Sequence, residues 1–247
     1  MKPRVLVVHS GDRHFFPEAG SSVLEVLERS SHSIVPCSPE ERALDQSADL
    51  AVFTSRIAAE MLLGDGRLAP RFRKAMQRGE VVAVGRATAE VLARLGMPPH
   101  RVGQGSAQSL LDRLPDSLSG RRVLVPRGED ASPALGRELA RRGAEVAPLV
   151  LYRKIARPRD ADLAVEILRR PLAAFCATAP SAARWLFEDL GPAARERLRG
   201  TPAVALGPST RTFLLGESVA RVEVPRPVDF AAAAALLESL AVRRVRA

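Results

Sequence analysis

The chain alternates short apolar runs with longer stretches in which apolar residues recur every three or four positions. The runs are Val5 to Val8, Ser33 to Val35, Leu50 to Phe53, Val81 to Val84, Val123 to Val125, Val146 to Leu151, Ala173 to Cys176, Ala203 to Leu206 and Val222 to Val224. They are strand-sized and mostly apolar at successive positions, as a strand covered on both faces must be. The periodic stretches predict helices over Ser21 to Arg29, Ile57 to Leu63, Thr88 to Leu95, Pro133 to Arg142, Ala182 to Leu190 and Phe230 to Leu240. Gly96, Gly143 and Gly191 stand where helices would close in a left-handed cap. Strand following helix in this way predicts an α/β protein with parallel sheets.

The pattern also repeats. Arg4-Val-Leu-Val-Val-His-Ser-Gly-Asp12 corresponds to Arg122-Val-Leu-Val-Pro-Arg-Gly-Glu-Asp130. Phe53, Thr54, Ala58, Ala59 and Leu62 correspond to Phe175, Thr178, Ala182, Ala183 and Leu186, and Val82 to Thr88 corresponds to Val204 to Thr210. Phe53 and Gly85 are 32 positions apart, as are Phe175 and Gly207. Two copies of one unit, joined near Pro115 to Arg121, account for this, and a length of 247 residues accommodates two domains of about 100 to 120 each.

Composition narrows the function. The longest apolar stretch, Phe230 to Leu237, is mostly alanine and too short to span a bilayer, and Val5 to Val8 is too short for a signal-peptide core, so a cytoplasmic location without a membrane partner is expected. Cys37 and Cys176 have no CxxC partner and the four histidines have no metal-ligand spacing, which argues against a structural metal. The net charge of +9 comes mainly from arginine and favours anionic ligands. Nucleic acid is not the expected anion, because aromatic residues make up 4% of the chain and the basic residues are scattered rather than gathered in an arm.

Two loops run from strand through glycine and hydroxyl residue into helix: Gly85-Arg86-Ala87-Thr88 and Gly207-Pro208-Ser209-Thr210. Each can cradle a carboxylate on free helix N–H groups, or the hydroxyls can simply cap the helices. Neither is a dinucleotide or Walker loop. Thr54-Ser55-Arg56 and Thr178-Ala179-Pro180-Ser181 form a second matched pair where strands end, and carboxyl ends of parallel strands are where such sheets bind ligands. Arg56, Arg86 and Arg127, the last followed by Gly128, could pair with substrate carboxylates or lie in solvent as ordinary surface arginines. Tyr152, the only tyrosine, follows the Val146 to Leu151 run; its phenol could donate a proton to a leaving hydroxyl or serve as an interface residue.

At these residues the chain resembles the uroporphyrinogen-III synthase family. Val52-Phe-Thr-Ser55, Val84-Gly-Arg-Ala-Thr88, Val123-Leu-Val-Pro-Arg-Gly-Glu129, Val150-Leu-Tyr-Arg153, Ala179-Pro-Ser-Ala-Ala183 and Leu206-Gly-Pro-Ser-Thr210 occur in the family's order and spacing. The resemblance implies two similar flavodoxin-like parallel-sheet domains with interchanged halves, residues 1–36 with 155–247 and residues 37–154, joined by a two-stranded linker. It implies a monomer without a cofactor whose substrate is hydroxymethylbilane, a linear tetrapyrrole with eight carboxylates, closed with inversion of its terminal ring. Tyr152 matches the family's tyrosine and would assist hydroxyl loss; Thr88, Ser209 and Thr210 with their glycines match its substrate-contacting loops. The chain departs from the family at His9-Ser-Gly-Asp12, where Thr-Arg-Pro is common, at Ala179, where serine is expected, and around Ser132, where an arginine is common. A non-catalytic synthase-like module that binds a tetrapyrrole or another anion is the alternative these departures admit.

Overall fold

The computed structural model describes residues 2–11, 23–158, 161–188 and 190–246. Along the chain run β1 (Arg4–His9), β2 (Glu25–Ser30), β3 (His32–Pro36), a short 3-10 segment (Glu41–Leu44), β4 (Leu50–Phe53), α1 (Arg56–Gly64), α2 (Leu68–Ala75), β5 (Glu80–Ala83), α3 (Arg86–Arg94), β6 (Arg101–Val102) and α4 (Ala107–Leu111). There follow β7 (Arg122–Gly128), α5 (Ala134–Arg141), β8 (Glu145–Ala156), α6 (Ala161–Arg169), β9 (Ala174–Ala177), α7 (Pro180–Glu188), α8 (Pro192–Arg199), β10 (Ala203–Ala205), α9 (Pro208–Gly216), β11 (Val222–Glu223) and α10 (Phe230–Arg246). The chain divides into two compact units, residues 1–34 with 155–247, and residues 35–154.

In the first unit the sheet order is β11-β10-β9-β1-β2, all parallel. Alternation along β1 sorts its apolar run between two layers. Leu6 and Val8 pack with Phe175, Trp185, Leu186 and Leu214 on one face, while Val5 and Val7 pack with Cys176, Val204, Leu237 and Leu240 on the other. β1 is therefore buried on both sides, which is why all four residues are apolar.

The second unit has the order β3-β8-β7-β4-β5-β6. Leu50, Val52, Val82, Val123 and Val125 meet Leu110, Leu111, Leu135 and Leu139 on one face. Phe53 points to the opposite face, where its ring meets Phe72 of α2 edge-on with centroids 5.7 Å apart. Read from β8 inward, β8-β7-β4-β5-β6 has the order of β2-β1-β9-β10-β11. Both are the flavodoxin arrangement, in which the strand order reverses between the two central strands.

The register refines the internal repeat. Leu50 lies beside Val123 and Ala174 beside Val5, so Thr178 is the counterpart of Thr54 while Phe175 is the counterpart of Ala51 and not of Phe53. The equal Phe-to-Gly spacing thus compares non-equivalent phenylalanines; from Thr54 to Gly85 is 31 positions and from Thr178 to Gly207 is 29. Duplication rests on the shared strand order instead.

Two local expectations are corrected. The helix expected over Ser21 to Arg29 is strand β2 from Glu25, while Ser21, like Asp12 of the repeat, lies outside the described residues. Val26 and Leu27 look like one helical face but belong to opposite sheet faces, Leu27 against the layer of Leu6 and Val26 against that of Val5. Gly96 (φ 73°) and Gly143 (φ 89°) adopt the left-handed conformation expected of closing glycines, but Gly191 has φ −53° and instead precedes α8, whose first residue is Pro192.

Candidate functional site

The carboxyl ends of the two central strands, where order reverses, mark the expected ligand crevice in each unit. In the second unit these are the ends of β4 and β7. Thr54 and Ser55 follow β4 directly, and Ser55 is the N-cap of α1, its Oγ accepting from the Ala58 N–H at 3.3 Å. Arg56 is the first residue of that helix. From the neighbouring side, β8 delivers Tyr152, 4% exposed, with its phenol oxygen 2.9 Å from Ser55 Oγ. Two hydroxyls 97 residues apart in sequence are thus joined.

Gly128, which ends β7, makes this packing possible. A Cβ there would stand 2.8 Å from Cε2 and Cζ of Tyr152, too close for the ring to stay where it is, and a tight 3.0 Å from Asp130 Oδ1. The turn that follows is tied to β8: the Glu129 N–H donates to the Tyr152 carbonyl at 2.8 Å, and Lys154 Nζ lies 3.1 Å from Asp130 Oδ2. Arg127 donates from Nε to the Gly128 carbonyl at 3.0 Å and from one Nη to the carbonyls of Glu129, at 3.1 Å, and Ala131. Beside it, a cleft of about 480 Å³ is lined by Thr54, Val125, Arg127, Ser132, Leu135 and Pro148 among others.

The paired glycine turns lead into α3 and α9. Their N-caps are Gly85 and Gly207, both extended, and neither helix has a side-chain cap. Thr88 and Thr210, the third residues of their helices, are buried in the first turn, 4% and 2% exposed, while Ser209 is exposed. The hydroxyls therefore do not cap these helices. With no acidic residue in either first turn, the N-terminal N–H groups of α3 and α9 form a positive end compatible with an anion. Gly85 is also a contact point, since a Cβ on it would meet the Gly105 backbone at 3.1 Å. Arg86 is exposed and lies 3.5 Å from Glu90 of its own helix.

In the first unit the corresponding strand ends are those of β1 and β9. Thr178 donates its N–H to the Val8 carbonyl at 3.0 Å, and Ser181, in the first turn of α7, lies 3.4 Å from Ser10 Oγ. Ser10 in turn is 3.3 Å from Ser31, and His9 Nε2 is 3.1 Å from Glu28 Oε1. This end is hydroxyl- and imidazole-rich. Sequence reasoning missed Ser10, Ser31, Gly105, Asp130 and Lys154. Of these, only Ser10 and Asp130 had a signal, standing inside the repeated strand-end motif.

Among the described residues no group of three or more His, Cys, Asp or Glu is gathered as for a metal, and no helix is long and apolar enough to cross a membrane.

Comparison with known proteins extends this picture. The chain is similar to uroporphyrinogen III synthase of the extremely thermophilic bacterium Thermus thermophilus: a mutant form is 25% identical with a TM-score of 0.70, covering 97% of this chain and 99% of that one. The wild-type form is 28% identical with a TM-score of 0.56, covering 98% and 100%. Uroporphyrinogen-III synthetase of Helicobacter pylori 26695 shares the fold at 17% identity, with a TM-score of 0.64 over 97% and 100% of the two chains. An uncharacterized protein of Bacillus subtilis strain 168, YjjA, is 28% identical over 151 residues, 58% of this chain and 56% of that protein, so the chain spans little more than half of that relative's length. The profile of the family described as uroporphyrinogen-III synthase HemD matches residues 19–234, and with the two flavodoxin-like units in place the chain belongs to that family.

Proposed function

We propose that the chain is a uroporphyrinogen-III synthase, converting hydroxymethylbilane to uroporphyrinogen III with loss of water and inversion of the terminal ring. The observation that carries the reading is the buried Tyr152 phenol, 2.9 Å from Ser55 Oγ at the strand-order reversal of the second unit.

The phenol gives its proton to the leaving hydroxyl, the C–O bond breaks and water departs, leaving an electrophilic methylene conjugated to its pyrrole. The terminal ring attacks through its substituted carbon, the spiro product fragments, and reclosure at the free carbon releases a ring proton that returns to the tyrosinate. No net proton or electron is consumed. A substrate with many carboxylates needs positive ends rather than a catalytic triad. The uncapped N-termini of α3 and α9, with Gly85, Thr88, Gly207, Ser209 and Thr210, fit that need, and the strand-end residues Thr54, Ser55, Thr178 and Ser181 add hydroxyl donors and Arg56 a guanidinium.

The test supplies the protein with freshly made hydroxymethylbilane, oxidises the products and separates isomers I and III by chromatography. Predominance of isomer III is expected. Isomer I alone, the product of spontaneous closure, would overturn the reading. It would favour the non-catalytic anion-binding module, toward which the His9–Glu28 pair at the end of β1, in place of the family's usual arginine motif, already inclines.

A further inference from the structure

Arg127 carries a guanidinium at the end of β7, beside the crevice, where an outward-facing arginine would meet a substrate carboxylate. Its fork is bonded to the turn that follows it instead. Three successive bonds, to the carbonyls of Gly128, Glu129 and Ala131, gather one turn of backbone around a single planar group. The same turn is fastened to β8 at the Tyr152 carbonyl and, through Asp130, at Lys154. Between these fastenings lies Gly128, on whose face the end of the Tyr152 ring rests. The course of the turn therefore sets the tilt of the phenol and its distance to Ser55.

We propose that Arg127 is a positioning residue for Tyr152: it shapes the 128–131 turn from within, and thereby holds the phenol at Ser55, instead of pairing with a substrate carboxylate. The proposal rests on Tyr152 being the proton donor. Its chemistry is specific to arginine, because the guanidinium spreads its donors over Nε and Nη in one rigid plane, whereas a lysine ammonium presents its three N–H donors from a single nitrogen on a flexible stem.

The test is Arg127→Lys. A carboxylate partner would be largely rescued by lysine, and its loss would appear in KM. A positioning residue is not rescued: kcat should fall by about 10- to 100-fold, the cost of a small misplacement of a reacting group, with KM held within about twofold. A raised KM at unchanged kcat would overturn the proposal.

A second readout needs no turnover. Tyr152 is the only tyrosine, so protein labelled with ring-¹³C tyrosine gives one ring spin system by NMR. That signal should shift and broaden in Arg127→Lys and stay in place in Arg137→Lys, an exposed arginine on α5. An unmoved tyrosine signal in folded Arg127→Lys overturns the proposal. Should that variant not fold, Asp130→Asn, which loosens the same turn from its exposed end, must displace the signal, and stillness there overturns it equally. If the wild type makes no isomer III the proposed function falls, while the tyrosine signal still decides what Arg127 does.

Discussion

Tyr152 could be singled out in the sequence as the sole tyrosine at the end of an apolar run, but Ser55 could not be assigned to it, because a contact across 97 residues leaves no periodic trace. Ser55 accepts from the Ala58 N–H and also meets the phenol, so one hydroxyl fastens the start of α1 and the tyrosine together. Tyr152→Phe keeps the ring against Gly128 and removes the hydroxyl, with its proton and its bond to Ser55. Folding should be unchanged and turnover should drop by roughly 100-fold or more, as for loss of a general acid; assays of isomer III formation beside thermal melts would show it, and full activity would remove the phenol from the chemistry. The two cysteines allow an independent check of packing. Cys176 is fully buried in β9 and burial pushes its thiol up, whereas Cys37 is half-buried. A thiol reagent should therefore titrate at most one equivalent in native protein and two after denaturation; two fast equivalents in the native state would contradict the buried β9.

Among the elements, the strands buried on both faces were the most legible, because burial on two sides demands apolar residues without interruption. The edge strand β2 was not: its Val26-Leu27 pair, three residues after Val23-Leu24, imitates a helix, although its counterpart β8 was recognised and the repeat could have supplied the missing strand. The glycine turns before α3 and α9 were readable as turns, but not the inward placement of Thr88 and Thr210, since a hydroxyl at a helix start suits a cap as well as a buried first turn. Helix α5 carries a charge feature that can be tested. Its Glu138 carboxyl is held down to about 2 by hydrogen bonds from Arg141 and then Arg142, against an ordinary value of 4.5. A depressed carboxyl pKa adds stability above the unfolded value, and that contribution disappears as pH falls from about 4.5 toward 2. Glu138→Gln should accordingly be less stable than wild type at pH 7 and match it near pH 2 in denaturant titrations, the gap being small because the pair is largely solvated. A gap that widened on acidification would contradict the pairing.

At the scale of the whole molecule the α/β class could be read from the alternation and the duplication from the matched strand-end motifs, though not from the Phe-to-Gly spacing, while the interchange of halves came from family resemblance alone, because periodicity says nothing about which strands share a sheet. The partition has an experimental consequence. Residues 35–154 are continuous and hold β4 to β7, β8 as far as Lys154 and packing on both faces of their sheet, so this segment expressed alone should fold and unfold cooperatively. Residues 155–247 alone lack β1 and β2, leaving β9 with an open edge and the layer around Leu6 and Val8 unfilled, and should not. Circular dichroism melts of the two fragments would decide; cooperative folding of the second would show β1 to be dispensable.

The position of β1 also bears on how the protein is made. This strand is hydrogen-bonded between β2 and β9, yet Arg4 leaves the ribosome 170 residues ahead of Ala174. At translation speeds of about 5–20 residues per second, β1 waits roughly 10 to 30 s for that neighbour, with Val5 to Val8 wholly apolar throughout. The segment 35–154 can close in the meantime. The nascent chain is thus expected to finish in its middle first and to hold its first strand in reserve, so that a trigger-type chaperone or slowed elongation before Ala174 would alter the yield of native protein.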